Sequence, residues 1–493
     1  MTIFNYKSLV LDELKKVYKP NKFKIEPMWH QLVSLTYTLG EKISRVAYLH
    51  GVGTGKTICA LLTNQLWKNK KTLVVCPSSA FGPWERDIKL ATNDSYIFLT
   101  GSKKQRVSNL KKKKNYYIIN YEGLKTIYAN LREVKKNPFE KKKSWKIDHT
   151  SFIHNFDCII FDEVHKCKDY STLQSSICYE LSRRSKYCIG STGTPLDKCM
   201  LELFNIYKVV DLGDSLGTNF WYYREHHFSK RMFDWIIKEG HQEKILDKLS
   251  GHTISFDREE CFDLPEAQTI ERPILPSKEF LDLQEKIIEE DELFINETEI
   301  DCSSGTSKSQ KLSQLSSGFL YYGTGKEREA YHLKENPKIV ALIDLIEDSE
   351  SKIIVVHKFI EEAVLIEKAF KKKKINFISV RGGLKANRSK SLECFSTDQN
   401  IKVLLIHPTC ASEGFDGSIA NTIIFFSPIA SPKIRKQCEG RIHRKGQKNK
   451  CVFFDLVLKD SIDSSVNANR ALRKDLVDTV MEYIRDYKKN VKK

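Results

Sequence analysis

The 493-residue sequence predicts an α/β fold with two tandem lobes, each a parallel sheet with helices on both faces, and a helical insertion between them. Short β-rich runs alternate with helical stretches in two separate series, which is the pattern of parallel sheets covered by helices. The first series comprises Val46–Leu49, Thr72–Cys76, Tyr116–Asn120, Asp157–Phe161 and Tyr187–Gly190. The second comprises Lys352–Val356, Asn376–Val380, Lys402–Ile406, Thr422–Phe426 and Cys451–Leu456. At roughly 150 residues per domain, this length suits about three packing units.

The segment between the two series lacks this alternation. From Phe204 to Pro337 it contains an aromatic helical stretch, an acidic stretch and the Ser/Gly-rich run Ser303–Ser309, which we interpret as a loop. We therefore expect an N-terminal lobe over residues 1–203, helical protrusions and a linker over 204–337, a C-terminal lobe over 338–460 and a basic helical tail over 461–493. Beyond Val457 we expect only this tail.

Charge and apolar content narrow the classes of protein to consider. The net charge of +18 suits a polyanionic partner, although lysine-rich loops can also simply be solvated. The apolar stretches are strand-sized, whereas a bilayer span needs about 20 apolar residues. The N-terminus also lacks the apolar block of a signal peptide. We expect an intracellular, soluble protein with no membrane partner.

The thirteen cysteines do not form a recognisable metal-binding pattern. They include no Cys-x-x-Cys pair, and structural zinc sites usually show closely spaced ligand pairs. Several lie inside apolar strand-like runs. We interpret the cysteines as reduced core residues.

A phosphate-binding loop follows the first predicted strand. Val46–Leu49 runs into the sequence HGVGTGKT at positions 50–57, and Ile58–Trp67 is helix-like. This arrangement directs backbone N–H groups and a lysine at phosphate and supplies a hydroxyl for Mg²⁺. The strict pattern has glycine where this chain has His50, and a plain glycine turn is the alternative. The expected ATP contacts are Gly53, Thr54, Gly55, Lys56 and Thr57, of which Thr57 would also ligate Mg²⁺.

Acidic and basic groups further along the chain complete a phosphoryl-transfer site. Asp162 and Glu163 end an apolar strand; Asp162 is expected to hold Mg²⁺ through water and Glu163 to polarise the attacking water, although such a pair can also be a capping group. Arg441 and Arg444, about one helical turn apart, can stabilise charge on the transferring phosphoryl group from the second lobe. An exposed basic helix end is the alternative for the two arginines.

The ordered motifs include Gln31, HGVGTGKT (50–57), CPSSAFGPW (76–84), NYE (120–122), DEVH (162–165), STGTPL (191–196), KIIVVH (352–357), EGFD (413–416) and QCEGRIHRKGQ (437–447). Together they resemble the motor of the Swi/Snf family within helicase superfamily 2, over roughly Pro27 to Val457. The resemblance implies two RecA-like lobes that bind ATP and Mg²⁺ and move along duplex DNA. With only a charged tail beyond Val457, the chain would suit a compact motor of a phage or large DNA virus.

The resemblance also implies roles for single residues. Gln31, Gly414 and Asp416 would contact the nucleotide. Four residues would couple the lobes, namely His165, Thr192, Thr194 and Gln437. The nucleic-acid track would face Ser78, Tyr121 and Thr409.

Three alternatives to a duplex DNA translocase stay open at this stage. One is a strand-separating DNA or RNA helicase. Another is a degenerate motor that binds nucleic acid without hydrolysing ATP, and the last is a metabolic phosphotransferase. The sequence indicates no particular protein partner.

Overall fold

The structure is a computed structural model, and it describes residues 23–471 except 138–139, 194–195, 197–198, 232–233, 291, 296–297, 304, 324–327, 381–384, 412–414 and 469. The described residues divide into two compact units, 23–261 and 262–471. Each unit is built around its own parallel sheet.

The first unit contains a seven-stranded sheet with the order β11-β1-β8-β7-β2-β4-β3, and its neighbouring strands are parallel. The antiparallel pairs β5–β6 and β9–β10 lie outside the sheet. The strands are β1 (Arg45–His50), β2 (Thr72–Cys76), β3 (Tyr96–Phe98), β4 (Tyr116–Asn120), β5 (Ala129–Asn137), β6 (Glu140–Ile147), β7 (Cys158–Asp162), β8 (Tyr187–Ser191), β9 (Phe228–Arg231), β10 (Asp234–Ile237) and β11 (Thr253–Phe256).

Helices connect these strands and cover the sheet. They are α1 (Trp29–Gly40), α2 (Lys56–Leu66), α3 (Phe81–Ala91), α4 (Lys103–Leu110), α5 (Tyr121–Tyr128), α6 (Leu173–Arg183), α7 (Leu201–Val210), α8 (Phe220–His227), α9 (His241–Ser250) and α10 (Arg258–Cys261). Short 3₁₀ turns occupy Ser78–Ala80, His149–Ser151 and Val164–Cys167. Strands β2 and β7 are buried at every position, as expected for a sheet with helices on both faces.

The second unit has a six-stranded parallel sheet with the order β12-β21-β20-β17-β19-β18. Two small antiparallel pairs, β13–β14 and β15–β16, accompany it. The strands are β12 (Ala267–Ile274), β13 (Glu292–Ile295), β14 (Thr298–Asp301), β15 (Phe319–Tyr322), β16 (Glu329–His332), β17 (Ile353–Val356), β18 (Phe377–Val380), β19 (Val403–Ile406), β20 (Thr422–Phe425) and β21 (Cys451–Leu458).

The helices of the second unit are α11 (Lys278–Glu289), α12 (Gly305–Leu315), α13 (Pro337–Glu347), α14 (Ile360–Lys372), α15 (Lys385–Thr397), α16 (Pro408–Ala411) and α17 (Pro432–Glu439). Residues 462–468 are also helical, and the rest of the predicted basic tail beyond 471 lies outside the described residues. The two-sheet α/β fold predicted from the sequence is confirmed.

Two predictions for the segment 204–337 need correction. The segment is helical in part but not throughout, and it is shared between the units: β11 extends the first sheet and β12 extends the second. The run Ser303–Ser309, predicted to be a loop, is largely helical because α12 begins at Gly305. Its apolar anchor lies further along, where Leu315 is buried in the core. A polar first turn therefore concealed the helix.

The thirteen cysteines are free thiols; eleven of them are buried, as expected for core residues, whereas Cys199 is partly exposed and Cys394 is exposed. Within the part of the chain that the structure describes, no helix combines the length and apolar character needed to cross a membrane.

Candidate active site

The residues predicted to bind ATP follow neighbouring strands of the first sheet. Strands β1, β8, β7, β2 and β4 lie side by side in that order and run parallel. Because parallel strands end at one edge, the loops after them meet there. The phosphate loop follows β1, Thr192 follows β8, Asp162 ends β7 and Ser78 lies just after β2.

The phosphate loop has a backbone that requires glycine. Gly53 and Gly55 have φ angles of 83° and 75°, in the left-handed region that side chains disfavour. The Thr54 hydroxyl donates a hydrogen bond to the carbonyl of Gly51 at 2.8 Å and fixes the turn from inside. Helix α2 then begins at Lys56, so the N–H groups of its first turn face the loop. This is the arrangement that binds phosphate.

The Lys56 amine lies against the loop that it follows. Its Nζ donates to the carbonyls of His50 and Gly51 at 3.2 and 3.1 Å. Gly193 packs closely here, because a Cβ at that position would lie 3.3 Å from Nζ and 3.1 Å from Val52. The segment after β8 therefore touches the phosphate loop directly.

Gln31 braces the loop from helix α1. Its amide nitrogen donates to the carbonyl of Gly55 at 3.1 Å, and its amide oxygen accepts from the N–H of Met28 at 2.9 Å. The side chain is 1% exposed. Both polar atoms of Gln31 thus have partners within the protein, and its predicted contact with adenine stays a prediction.

The Asp162 carboxylate is buried and receives two side-chain hydrogen bonds. Trp84 Nε1 donates to one carboxylate oxygen at 2.9 Å, and the Ser191 hydroxyl donates to the other at 3.1 Å. Burial and the adjacent Glu163 charge raise the pKa of Asp162 to about 6, against the lowering effects of Trp84, Lys56 and Ser191. The site therefore concentrates negative charge where a cation would relieve it.

Glu163 is linked to the segment after β8 through a small polar cluster. The Thr192 hydroxyl donates to the Glu163 carboxylate at 3.1 Å, and His165 Nδ1 lies 3.0 Å from the same oxygen and 2.8 Å from the hydroxyl. Glu163 itself has a φ of 55°, which turns the chain sharply after β7. The structure thus brings together two of the residues predicted to couple the lobes, although the predicted partner Thr194 lies outside the described residues.

Tyr121 does not lie where the sequence predicted. Its side chain is 1% exposed, and its hydroxyl donates to the carbonyl of Asp162 at 2.9 Å. A buried ring cannot face a nucleic-acid track, so this prediction was wrong for the structure described. Tyr121 is the first residue of α5, and its ring packs in the core of the first unit. Ser78, by contrast, is partly exposed in the turn after β2, as a track contact requires.

In the second unit, Arg444 and Asp416 are neighbours. Arg444 Nη1 lies 3.7 Å from an Asp416 carboxylate oxygen, and that carboxylate is 60% exposed. The other Asp416 oxygen accepts from the N–H and hydroxyl of Ser418 at 3.0 and 2.7 Å. The N–H of Gly417 donates to the carbonyl of Arg441 at 2.9 Å. Arg444 is therefore paired with Asp416 through its side chain, and Arg441 adjoins the same loop through its backbone.

Gln447 organises the turn that carries the arginines. Its amide nitrogen donates to the carbonyls of Ser418, Ala420 and Ile442, and its oxygen accepts from the N–H groups of Lys448 and Asn449. This one side chain fixes the end of the motif against the loop at 415–418.

The remaining predicted residues of this unit are more scattered. Gln437 is buried on α17, and Thr409 is exposed in α16, with its hydroxyl 2.8 Å from His407 Nδ1. Gly414 lies outside the described residues. The roles assigned to these residues stay predictions.

The group of residues at the edge of the first sheet provides what a nucleotide with Mg²⁺ requires. The phosphate loop and Lys56 suit the phosphates, while Thr57 at the start of α2 and the buried Asp162 carboxylate supply oxygen ligands. Burial and the adjacent Glu163 charge raise the pKa of Asp162, and a divalent cation beside the carboxylate would offset both effects.

Two protein-family models match the chain. One, described as the Type III restriction enzyme, res subunit, matches residues 4–197, and the Helicase conserved C-terminal domain matches residues 337–446. A SWI/SNF-related matrix-associated actin-dependent regulator of chromatin subfamily A-like protein 1 homolog of Caenorhabditis elegans is 24% identical over 435 residues, which cover 86% of this chain. The chain is therefore similar to a Swi/Snf-related protein over most of its length and to the helicase C-terminal domain in its second unit.

The other similarities of this chain differ in extent. An uncharacterized ATP-dependent helicase of Bacillus subtilis is 22% identical, over 93% of this chain and 80% of its own length. The chain spans only 57% of the C. elegans relative. Among solved structures, a Sulfolobus solfataricus SWI2/SNF2 ATPase core in complex with double-stranded DNA has 17% identity and a TM-score of 0.42, covering 94% of this chain and 95% of that chain.

The sequence alone indicated no role for several residues that build the site. Trp84 and Ser191 bind Asp162, Gly193 contacts the phosphate loop and Gln447 fixes the arginine turn. All four lie inside the motifs that carried the family resemblance. The motifs thus pointed to these residues, but the sequence did not show which partner each side chain contacts.

Proposed function

We propose that this chain is an ATP-dependent motor of the Swi/Snf type that translocates along duplex DNA without extensive strand separation. The observation that carries the proposal is the cluster at the edge of the first sheet, where the phosphate loop, Asp162, Glu163 and Thr192 meet. A second sheet unit carries its own arginine cluster. A site with these parts suits phosphoryl transfer coupled to movement.

The first unit would bind ATP and activate water. The N–H groups at Gly53–Lys56 and the Lys56 amine would hold the phosphates, and Thr57 and Asp162 would hold Mg²⁺. When bound, Mg²⁺ neutralises charge that develops on the phosphate oxygens. Glu163 would accept a proton from the attacking water; its side chain is 23% exposed, so water can reach it.

The polar cluster of Glu163, His165 and Thr192 would respond to changes in the ATP site. Thr192 donates to Glu163, so a shift of its segment changes the position of the carboxylate that orients water. His165 contacts both groups and would hold them in position relative to each other. We propose that this cluster couples hydrolysis to movement, as predicted from the family resemblance.

Arg441 and Arg444 would stabilise the charge of the transferring phosphoryl group. The ion pair between Arg444 and Asp416 is weak, because the two groups are 3.7 Å apart and the carboxylate is 60% exposed. Arg444 can therefore leave Asp416 for another anion. A phosphate with more charge could therefore attract the guanidinium away from Asp416. Arginine suits this task because its planar fork meets two oxygens at once.

Duplex DNA is the proposed track. The net charge of +18 favours a polyanion, and the C. elegans relative is named a regulator of chromatin, whose polymer is duplex DNA. The Bacillus subtilis relative is named a helicase, which favours a second candidate function, strand separation. Localisation inside the cell follows from such a track and is part of the proposal.

Two variants test the hydrolytic part. Lys56→Ala should lose ATP binding and most turnover because the phosphates lose their fixed cation. Glu163→Gln should bind ATP but release phosphate slowly, since its amide cannot accept a proton. Lys70→Ala is the matched control. It changes an exposed lysine shortly after the end of helix α2, the helix that Lys56 begins, and it should keep the parental rate. Parental turnover in Glu163→Gln would contradict the assignment, and no release by the parent would indicate a binding module.

A pair of DNA substrates separates the two candidate functions. A translocase should displace a third strand from a triplex in the presence of ATP while leaving a forked duplex largely paired. A helicase should unwind the fork. Efficient fork unwinding by the parent, abolished in Glu163→Gln, would favour the second candidate over the first.

A further inference from the structure

Three histidines lie together on the first unit, and none of them is assigned to the ATP site. They are His226, His227 and His241, and each offers a ring nitrogen within 4.8 Å of the others. His227 Nδ1 and His241 Nδ1 are 3.1 Å apart. The rings of His226 and His227 meet edge to face, with centroids 4.7 Å apart.

The local fold brings these histidines together across fourteen residues of chain. His226 and His227 end helix α8, and His241 begins helix α9 after the β9–β10 hairpin. The hairpin closes at the pair Phe228–Ile237, and the N–H of Lys238 donates to the carbonyl of His227 at 2.9 Å. Gly240, with a φ of 69°, then turns the chain so that α9 starts beside the end of α8.

We propose that His226, His227 and His241 form a binding site for a divalent transition metal of the kind that prefers imidazole, with Zn²⁺ as the expected ion. Neutral imidazole is the usual nitrogen ligand of Zn²⁺, at about 2.0–2.1 Å. Ligands at that distance in tetrahedral geometry lie about 3.3 Å from one another, close to the measured 3.1 Å between His227 and His241.

The burial of the three rings differs in a way that suits such a site. His227 is buried, His241 is partly buried and His226 is exposed. The rings of His227 and His241 are therefore held in place, and the ring of His226 can rotate to complete the metal site. The exposed side leaves the fourth position to water.

The metal would hold the two ends of the β9–β10 hairpin together. It would join the end of α8 to the start of α9, the two points between which the hairpin leaves and returns. Lys238 opposes binding electrostatically, but its amine is engaged by the carbonyls of Glu225 and His226 at 2.7 and 3.0 Å. We therefore expect moderate affinity and a local stabilisation of the hairpin rather than a role in ATP chemistry.

The test is titration of the full chain, purified without a histidine tag, with Zn²⁺ and separately with Co²⁺. The background carries Cys394→Ser, because Cys394 is an exposed thiol that would bind soft metals itself. We expect one ion per chain, and with Co²⁺ the visible absorption of a tetrahedral nitrogen site. Hydrogen exchange of the hairpin amides should slow on addition of Zn²⁺.

Single His→Ala variants at 226, 227 and 241 should each weaken binding at least about 100-fold, since even outer partners of metal ligands cost 10–100-fold. His149→Ala, at an exposed histidine elsewhere in this unit, should bind as the parent does. If His227→Ala unfolds because its ring is buried, the exposed His226 still decides the matter. Absence of a one-to-one complex, or unchanged affinity in His226→Ala and His241→Ala, would overturn the proposal.

Discussion

Replacing Trp84 with Phe should shift the pH dependence of ATP turnover. The change keeps an aromatic ring in a fully buried place but removes the Nε1–H that donates to Asp162 at 2.9 Å. A hydrogen bond to a charged group contributes about 1.5–3 kcal/mol. It stabilises the carboxylate, so its loss raises the pKa, and at 1.36 kcal/mol per unit the rise is about 1–2 units. The pKa of Asp162, about 6 in the parent, should therefore move upward.

The assay is kcat/KM for ATP with duplex DNA between pH 5.5 and 9, because this ratio reports ionisations of the free enzyme. The acid limb of the variant should move upward, with a loss of about two- to tenfold at pH 7 and near-parental activity at pH 9. The limb belongs to the coupled pair of Asp162 and Glu163. Trp67→Phe, at a ring stacked on Tyr187, controls for a Trp-to-Phe change in the same unit. An equal loss at every pH would refute the reasoning and indicate a packing defect.

Further predictions concern the loop and the arginines. Gly55→Ala should destabilise the fold by about 1–2 kcal/mol from its left-handed backbone and by about 1 kcal/mol more from the lost Gln31 bond, because a Cβ there lies 2.7 Å from that amide. Gly217→Ala, with a φ of 82° and no atom within 4 Å, should show the backbone cost alone in urea unfolding; equal losses would contradict the Gln31 contact. Arg441→Ala should reduce DNA-stimulated turnover about 10³-fold, and Arg444→Lys should recover little activity. Equal proportional losses with and without DNA would show that the arginines act in folding or ATP binding.

Most of the two sheets could be predicted because buried parallel strands appear as short apolar runs. The run Thr72–Cys76 coincides with β2, and all ten predicted strands are present within a residue or two of their ends. The strands that were missed give a weaker signal. Strand β12 lies at a sheet edge with most of its residues exposed, and β3 has only three residues, all partly buried. An edge strand shows little apolar alternation, so composition conceals it.

The site was predictable as a set of motifs but not as a set of contacts. The carboxyl ends of parallel strands share one edge, so the phosphate loop and Asp162 had to lie near each other. Nothing in the sequence paired Trp84 with Asp162, because the two are 78 residues apart and no periodicity relates them. Tyr121 was misplaced for a related reason, since a family motif does not say which of its side chains enters the core.

The most direct test of the proposed function is ATP turnover measured with no nucleic acid, with single-stranded DNA, with duplex DNA and with duplex RNA, at one ionic strength. A duplex DNA motor should release phosphate fastest with duplex DNA, and Glu163→Gln should remove that stimulation. A rate that is indifferent to every addition would contradict the motor proposal and favour a metabolic phosphotransferase. A larger stimulation by duplex RNA or single-stranded DNA would contradict duplex DNA as the track.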